Sequence, residues 1–493
     1  MRAALGSDRR IYGAFSAAAA GGVALSGAIA SGPPILAIRW GLLWRLALWG
    51  IVWIAGVSLA LRLPRRRAVA FIFVAAVALR LAALAGPPTT SDDLYRYAWD
   101  GRVQASGTDP YRDPPASSRL GVLHETWLWP SAHECASLRR DPGCTRINRP
   151  ADRTIYPPVA QAWFSLVYRI GGIATRHKLW QVAGLITDMA VVGLLAIGLR
   201  RWDHDPRWLA LYALSPIPVL EIVNNAHVDG LAIMFVIAAL VVGAPASPTR
   251  VASKPDTTAA YLPKLTSATT DIAVGLLLGA AALVKVYPGL LVIAVAGVCG
   301  SRALWRVFRS GAAALALSAA FYLPHIVIVG WRVLGYLPGY LREEHYDRGG
   351  RFLLVGGLGI DGSAAVVVGV GWLLAAVAWV VWKRPPLAQG SAVLLGVLFV
   401  TATPVQPWYA TSLVAVAALT GWPWWCAIAV GGYPYFFAVI LDHPHAVGIG
   451  RSSYATALAI VAAWLSLRTA GRAGLGRPRW ATTTRSWAEP RRG

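Results

Sequence analysis

The feature that most constrains this chain is a series of apolar runs, each roughly 15 to 25 residues long and nearly free of charge, spread from residue 11 to residue 468. A run of that length makes a helix that crosses about 30 Å of hydrocarbon. Only 14% of the residues are charged and 56% are apolar, whereas about a quarter of a soluble domain is charged. The fold class that follows is an all-α polytopic membrane protein. Spans are expected at 11–30, 40–62, 68–86, 179–198, 208–222, 229–243, 271–284, 287–299, 311–329, 354–380, 387–403, 408–421, 424–441 and 452–468. Several fall short of about 17 residues, which points to tilted, broken or re-entrant elements. The run 11–30 follows Arg9 and Arg10 as a signal segment would. It is long for one, and a second apolar run follows almost at once, so it reads as a retained first span.

The net charge of +23 would suggest a nucleic-acid partner in a soluble chain. Here the basic residues cluster in short links between spans: Arg65, Arg66 and Arg67; Arg200 and Arg201; Arg302, Arg306 and Arg309; Lys383 and Arg384. That is the distribution of cytoplasmic loops facing an anionic leaflet, and it argues against nucleic acid. Keeping these clusters inside puts the long polar segment 87–156 outside. Counts from the two termini agree when 157–171, a short run opening IYPPV, does not cross and is re-entrant or interfacial. The chain then divides into two N-terminal spans (1–67), a core (68–468) and a basic tail (469–493) expected to be a disordered cytoplasmic segment.

Sorted in this way, the unusual polar residues gather on the outer rim. In SDDLYRYAWDGRVQASGTDPY (91–111) a helix is expected from Asp92, with Ser91 as its N-cap and two acids in the first turn, where the helix dipole favours them. Asp92 and Asp93 either cap an interfacial helix or place a general base at the membrane surface. Tyr95, Tyr97 and Trp99 suit anchoring at headgroup level or stacking on a sugar. In NNAHVDG, Asn224, His227 and Asp229 sit at a junction between apolar runs. The spacing of His227 and Asp229 does not put two ligands on one helix face. A sugar or phosphate pocket is the favoured reading, and a divalent ion such as Mg or Mn, held through Asp92, Asp93 and His227, stays open. Lys285 interrupts the apolar AALVKVYPG beside Tyr287; it either snorkels from a span end or neutralises a phosphate. Arg176, Lys178, Arg348 and Arg351 are the further outer cations and candidates for binding a donor phosphate. Gln406, Trp408 and Tyr409 open a span as either an interfacial aromatic turn or a pocket wall. Cys135 and Cys144 share the 87–156 loop, and a loop outside the cytoplasm permits a disulfide between them.

Read together and in this order, SDDLYRYAWDGRVQASGTDPY, TIYPPVAQAWF at 154–164, NNAHVDGLA, LVKVYPGLL and QPWYATS resemble the GT-C superfamily of integral membrane glycosyltransferases. They are similar in particular to the bacterial polyprenol-phosphate-mannose-dependent mannosyltransferases and glycosyltransferase family 87. The resemblance covers approximately residues 75–445. It implies a GT-C-like helix bundle with a large first extracytoplasmic loop containing interfacial helices, in the bacterial cytoplasmic (inner) membrane. The activity it implies is inverting transfer of a sugar, mannose before others, from a polyprenyl-phosphate-linked donor to a glycan, glycolipid or lipid acceptor in cell-envelope biosynthesis, with the active site facing outside or the periplasm. The family's base, an acid in the first large outer loop, falls on Asp92 or Asp93, with Asp93 preferred. Two spans precede the core span here, a departure from the family's usual order. A transporter or flippase of lipid-linked glycans, and a glycan polymerase or ligase using a diphosphate-linked donor, remain alternatives. A transporter should gather polar groups near the bilayer midplane, where Glu221 and Asp188 are the notable acids.

Overall fold

The computed structural model describes residues 2–33, 39–138, 140–174, 176–244, 267–297, 303–346 and 349–472, and the regular elements among these are all helical. The first seven α-helices are α1 (Arg2–Ala30), α2 (Arg39–Ala60), α3 (Arg65–Ala83), α4 (Asp93–Ala105), α5 (Ala132–Ser137), α6 (Pro158–Gly171) and α7 (His177–Arg201). Next come α8 (Leu209–Ala213), α9 (Pro216–Pro218), α10 (Asp229–Val242), α11 (Ser267–Ala282), α12 (Ala303–Val329) and α13 (Leu337–Glu343). The last six are α14 (Leu353–Gly356), α15 (Gly362–Lys383), α16 (Leu387–Thr401), α17 (Pro407–Thr420), α18 (Cys426–Ile440) and α19 (Ala446–Arg472). Among the described residues, seven helical segments are long and apolar enough to cross a membrane: Arg9–Ala30, Gly41–Ala60, His177–Arg201, Ala303–Glu343, Gly362–Lys383, Pro423–Ile440 and Ala446–Arg468. Five shorter apolar helices accompany them, among them α10, α16 and α17. The protein is an all-α polytopic membrane protein.

The elements differ from the expected spans where the chain carries prolines or glycines. The stretch 208–222 is not one span. Pro206, Pro216 and Pro218 lack amide donors, and the backbone there breaks into a 3-10 turn, α8, α9 and a π-helical turn over Val219–Asn224. Residues 287–297 wind as a 3-10 helix after the bend at Lys285. The run 354–380 is divided by the GLGID turn at 357–361 into α14 and α15. Helix α19 continues to Arg472, beyond the expected start of the tail at 469; residues 473–493 lie outside the described residues. Helix α6 has 14 residues, about 21 Å of helix, less than the hydrocarbon thickness.

Burial follows from lipid being the solvent. Helix α17 is buried at every position from Ala410 to Thr420, whereas α12 presents Leu315, Leu323 and Val327 outward. Apolar side chains meet hydrocarbon without cost, but polar groups there need internal partners. Arg80 of α3 and Asp188 of α7, both fully buried, form such a pair. Arg80 also donates to the Ala213 carbonyl (2.7 Å) and the Ala76 carbonyl (3.1 Å), and the Tyr212 hydroxyl donates to Asp188. Asp188 is thereby a structural clasp between α3, α7 and α8.

The 87–156 segment folds over one end of the bundle. Its α4 packs on α6 so closely that a Cβ at Gly101 would lie 2.5 Å from the Phe164 carbonyl oxygen. Trp99, Val103, Leu120, Leu128 and Ile147 make a small core of its own, and Cys135 and Cys144 are joined in a disulfide. Removing one partner of a buried ion pair strands the other charge. Arg80→Met is therefore expected to destabilise the protein by about 3–5 kcal/mol, measured as thermal unfolding in detergent. Arg80→Met combined with Asp188→Asn should recover much of that loss; a double variant no more stable than the single one would refute the clasp.

Candidate functional site

The site begins with two asparagines in the unwound backbone between α9 and α10. Asn224 Nδ2 donates to the Ala83 and Pro87 carbonyls (3.0 and 3.2 Å), and its Oδ1 accepts from the amide and hydroxyl of Thr89. Asn225 Oδ1 accepts from the amides of Thr89 and Thr90, and its Nδ2 donates to the Thr90 hydroxyl (2.6 Å) and to Glu221 Oε2 (3.1 Å). Gln181 of α7 donates to the Gly86 and Asn224 carbonyls. Side-chain amides thus satisfy backbone groups that no helix satisfies, and they fix where the chain leaves α3 for α4. The π turn itself lies against α7 at Gly184, where a Cβ would fall 2.1 Å from the Ile222 carbonyl oxygen.

Helix α4 starts one residue later than expected. Asp92 occupies the N-cap position with no side-chain cap bond, while Ser91 Oγ accepts from the Asp93 amide at 3.3 Å. Asn148 Nδ2 donates to Asp93 Oδ1 (2.6 Å) and Asp92 Oδ1 (3.3 Å), spanning the acid pair. Asp93 Oδ2 accepts from the Tyr156 hydroxyl (3.3 Å) and faces His227 Nδ1 at 3.5 Å. Lys285 Nζ sits over the Tyr156 ring (5.0 Å to the centroid) and over Tyr409 (4.7 Å), and lies 3.4 Å from Asp229 Oδ2. The main chain sets this meeting: the first free amides of α6, at Val159 and Ala160, donate to the Leu283 carbonyl two residues before Lys285. His227 stacks on Trp408 at 4.1 Å and 17°. Tyr287 lies 5.8 Å from Tyr409, ring to ring.

Electrostatics separate the two acids. Burial raises the Asp93 carboxyl, but the hydrogen bond and charge of His227, the Lys285 ammonium and Asn148 together outweigh it and hold it at about 2. Asp92 moves the other way, raised by burial and by the charge of Asp93. Burial, then the charge of Asp93, keeps the Tyr156 phenol well above its ordinary value, so it stays a hydrogen-bond donor. The arrangement offers an ionised carboxylate beside a cation and three aromatic rings.

The expected site residues divide into two groups. Asp92, Asp93, His227, Asp229, Lys285, Tyr287, Trp408 and Tyr409 come together. Gln406 stands just before α17, its carbonyl accepting from the Tyr409 amide. Asn224 serves the backbone as described. Tyr97 stacks flat on Phe164 and Trp99 packs against Trp129, each only 1% exposed, so neither has a face open to a headgroup or a sugar. Tyr95 leans on Trp127. Lys178 donates to the Leu84 and Gly86 carbonyls at the end of α3, Arg176 pairs with Glu125 over Trp127, and Arg351 pairs with Glu344 at 2.7 Å. Arg348 lies outside the described residues. Among the described residues, no group of three or more His, Cys, Asp or Glu is arranged to hold a metal ion. Asn148 and Tyr156 escaped the sequence reading as site residues. Tyr156 carried a signal, since it closes the polar loop immediately before two prolines; an asparagine such as Asn148 in an irregular loop carries none.

No protein-family model and no curated protein sequence matches the chain. Among solved structures, the chain is similar to ArnT from Cupriavidus metallidurans bound to undecaprenyl phosphate, with 15% identity and a TM-score of 0.43 over 82% of this chain and 78% of that one. It is similar to the Archaeoglobus fulgidus oligosaccharyltransferase in complex with Zn and sulfate, with 12% identity and a TM-score of 0.38 over 78% of this chain and 52% of that one. AglB from the same archaeon, in complex with an inhibitory peptide and a dolichol-phosphate, gives 10% identity and a TM-score of 0.37 over 79% and 55%. The chain spans about half the length of these archaeal enzymes.

Because Asn148 donates to the charged form of Asp93, its loss favours the neutral acid. Asn148→Ala is expected to move the Asp93 titration upward from about 2, read by carboxyl NMR of aspartate-labelled protein with Asp93→Asn to identify the resonance. An unmoved titration would show that the amide does not hold the acid pair.

Proposed function

We propose that the protein is an inverting glycosyltransferase that uses a polyprenyl-phosphate-linked sugar, mannose before others, and passes it to a glycan, glycolipid or lipid acceptor on the outer face of a bacterial cytoplasmic membrane. The observation that carries this reading is the placement of base and cation on two sides of one tyrosine: Asp93 on the Tyr156 hydroxyl and Lys285 on its ring face. In the proposed reaction Asp93 accepts the proton of an acceptor hydroxyl as that oxygen attacks the anomeric carbon. The bond from that carbon to the phosphate oxygen breaks, its electron pair leaves with the lipid phosphate, and Lys285 stabilises the charge that develops there.

A carboxylate held at about 2 is a weak base while its cations are unengaged. An anionic donor phosphate drawn to Lys285 and His227 offsets the charges that hold Asp93 low, so the acid gains basicity when the donor arrives. Trp408 and Tyr409 supply apolar faces beside the cation, suited to a sugar ring. The preference for mannose rests on the resemblance of the sequence segments. Asp92, raised by burial and by Asp93, acts through Asn148 as the second acceptor of its amide.

The test is turnover of a panel of polyprenyl-phosphate sugars by purified protein in lipid. The expected result is release of polyprenyl phosphate together with a glycosylated lipid-extractable product, highest with the mannosyl donor. Asp93→Asn should lower the rate by about 10²–10⁴-fold and Lys285→Met by about 10²–10³-fold, while Asp92→Asn keeps most of the activity. Absence of turnover with every donor, with Asp93→Asn behaving as wild type in cells, would overturn the reading.

A further inference from the structure

Behind Asp93 lies a second carboxylate that the reaction as written does not use. Glu221 is fully buried in the π turn, and its Oε2 lies 3.6 Å from His227 Nε2. His227 Nδ1 faces Asp93 Oδ2 at 3.5 Å on the other side. One imidazole, itself fully buried, therefore lies between two carboxylates at 3.5 and 3.6 Å, and neither of its nitrogens has a hydrogen-bond partner. A neutral imidazole has one N–H and one bare nitrogen, so one carboxylate would face a lone pair. With both acids ionised, only the ring protonated on both nitrogens offers each of them a donor.

The surroundings point the same way. Glu221 Oε1 accepts from the Tyr433 hydroxyl (2.7 Å) and Oε2 from Asn225 Nδ2 (3.1 Å), so the carboxylate is fixed by neutral donors and its charge faces the ring. Trp408 lies flat against that ring, a placement that favours a cation. The other charged groups near it are Asp229, which opens α10, and Lys285, which pairs with Asp229. Arg80 and Asp188, contributed by the neighbouring α3 and α7, close on each other. With a neutral His227, three carboxylates would share one lysine in a buried region; a cationic ring halves that excess.

We propose that Glu221 is a positioning residue for the base Asp93, acting through His227, which it holds as an imidazolium aimed at Asp93 Oδ2. This rests on the reading of Asp93 as the base. The imidazolium and the Tyr156 hydroxyl face Oδ2 of Asp93, so the acceptor hydroxyl takes the second lone pair of Oδ1 beside the Asn148 amide; the ring also provides a second fixed positive charge beside the incoming phosphate. The π turn is the local means: its wider winding, followed by the left-handed Ala226 (φ 56°), turns Glu221 and His227 toward each other across a backbone bond from the His227 amide to the Glu221 carbonyl.

The test has two independent arms. In histidine-labelled wild-type protein, ¹⁵N NMR should show both nitrogens of His227 protonated at pH 7, with His227→Gln identifying the resonance; in Glu221→Gln one nitrogen should become bare. In the turnover assay, Glu221→Gln should lower kcat by about 100-fold and raise KM for the donor, since the phosphate loses the imidazolium charge beside it. It should also move the acid limb of the kcat–pH profile upward, since Asp93 loses the cation that holds it low. A purely structural role would not move that limb. A bare nitrogen on His227 in the wild type overturns the proposal even if the variant does not fold. Asp93→Asn inactive with Glu221→Gln unaltered overturns it while sparing the function, whereas Asp93→Asn fully active overturns both.

Discussion

Asn224 and Asn225 hold the membrane-embedded part of the chain to the segment that carries the acids, and the rest of the site is laid out from that junction. Their amides bond to backbone groups between Ala83 and Thr90, where α3 has ended and α4 has not begun. In an apolar bundle such backbone has no water to turn to, and an irregular stretch persists only where side chains supply its partners. The same two residues end the π turn that presents Glu221 and open the bend that presents His227 and Asp229. One set of hydrogen bonds therefore fixes Asp93 from the loop side and His227 from the bundle side in a common frame.

Lys285 reaches this frame by a second route. It follows the C-terminal end of α11, where the Leu283 carbonyl accepts from the start of α6. Pro157 and Pro158 place that start, because neither supplies an amide and the first available donors are those of Val159 and Ala160. Tyr156, immediately before them, is thereby carried to the lysine. Carboxylate, tyrosine and cation come from three separate parts of the chain, yet each is anchored by main-chain bonds rather than by flexible side chains alone. Preorganised charge of this kind need not reorganise as a reaction proceeds.

The membrane class, the long helices and the outward apolar faces were legible because hydrocarbon imposes a length and a composition on whatever crosses it. The broken span was less so. The prolines at 206, 216 and 218 signalled interruption, but the π turn depends on Gly184 admitting the Ile222 carbonyl, a contact between distant residues. At the site, Asp93, His227 and Lys285 stood out because ionisable residues are costly among apolar neighbours. Tyr97 and Trp99 misled for the converse reason: aromatic residues on a polar segment suit an interface, and here the segment is large enough to bury them in a core of its own. Charge and side alone suit Lys178 and Arg176 to a phosphate, but backbone carbonyls at the end of α3 and Glu125 engage them.

The charges that remain near Asp93 after such pairings give the site its chemical character. Asp93, Glu221 and Asp229 face Lys285 and an imidazole, so the resting site carries no excess of positive charge to trap a product phosphate. In the proposed reaction a donor phosphate brings its own negative charge to Lys285, and Asp229, 3.4 Å from that ammonium, must then share it. On that proposal, competition between Asp229 and the phosphate for one ammonium weakens the hold on a departing lipid phosphate, and the rise in Asp93 basicity lasts only as long as the phosphate stays. An apolar-walled pocket with a single free-standing lysine would bind the phosphate more tightly and release it more slowly.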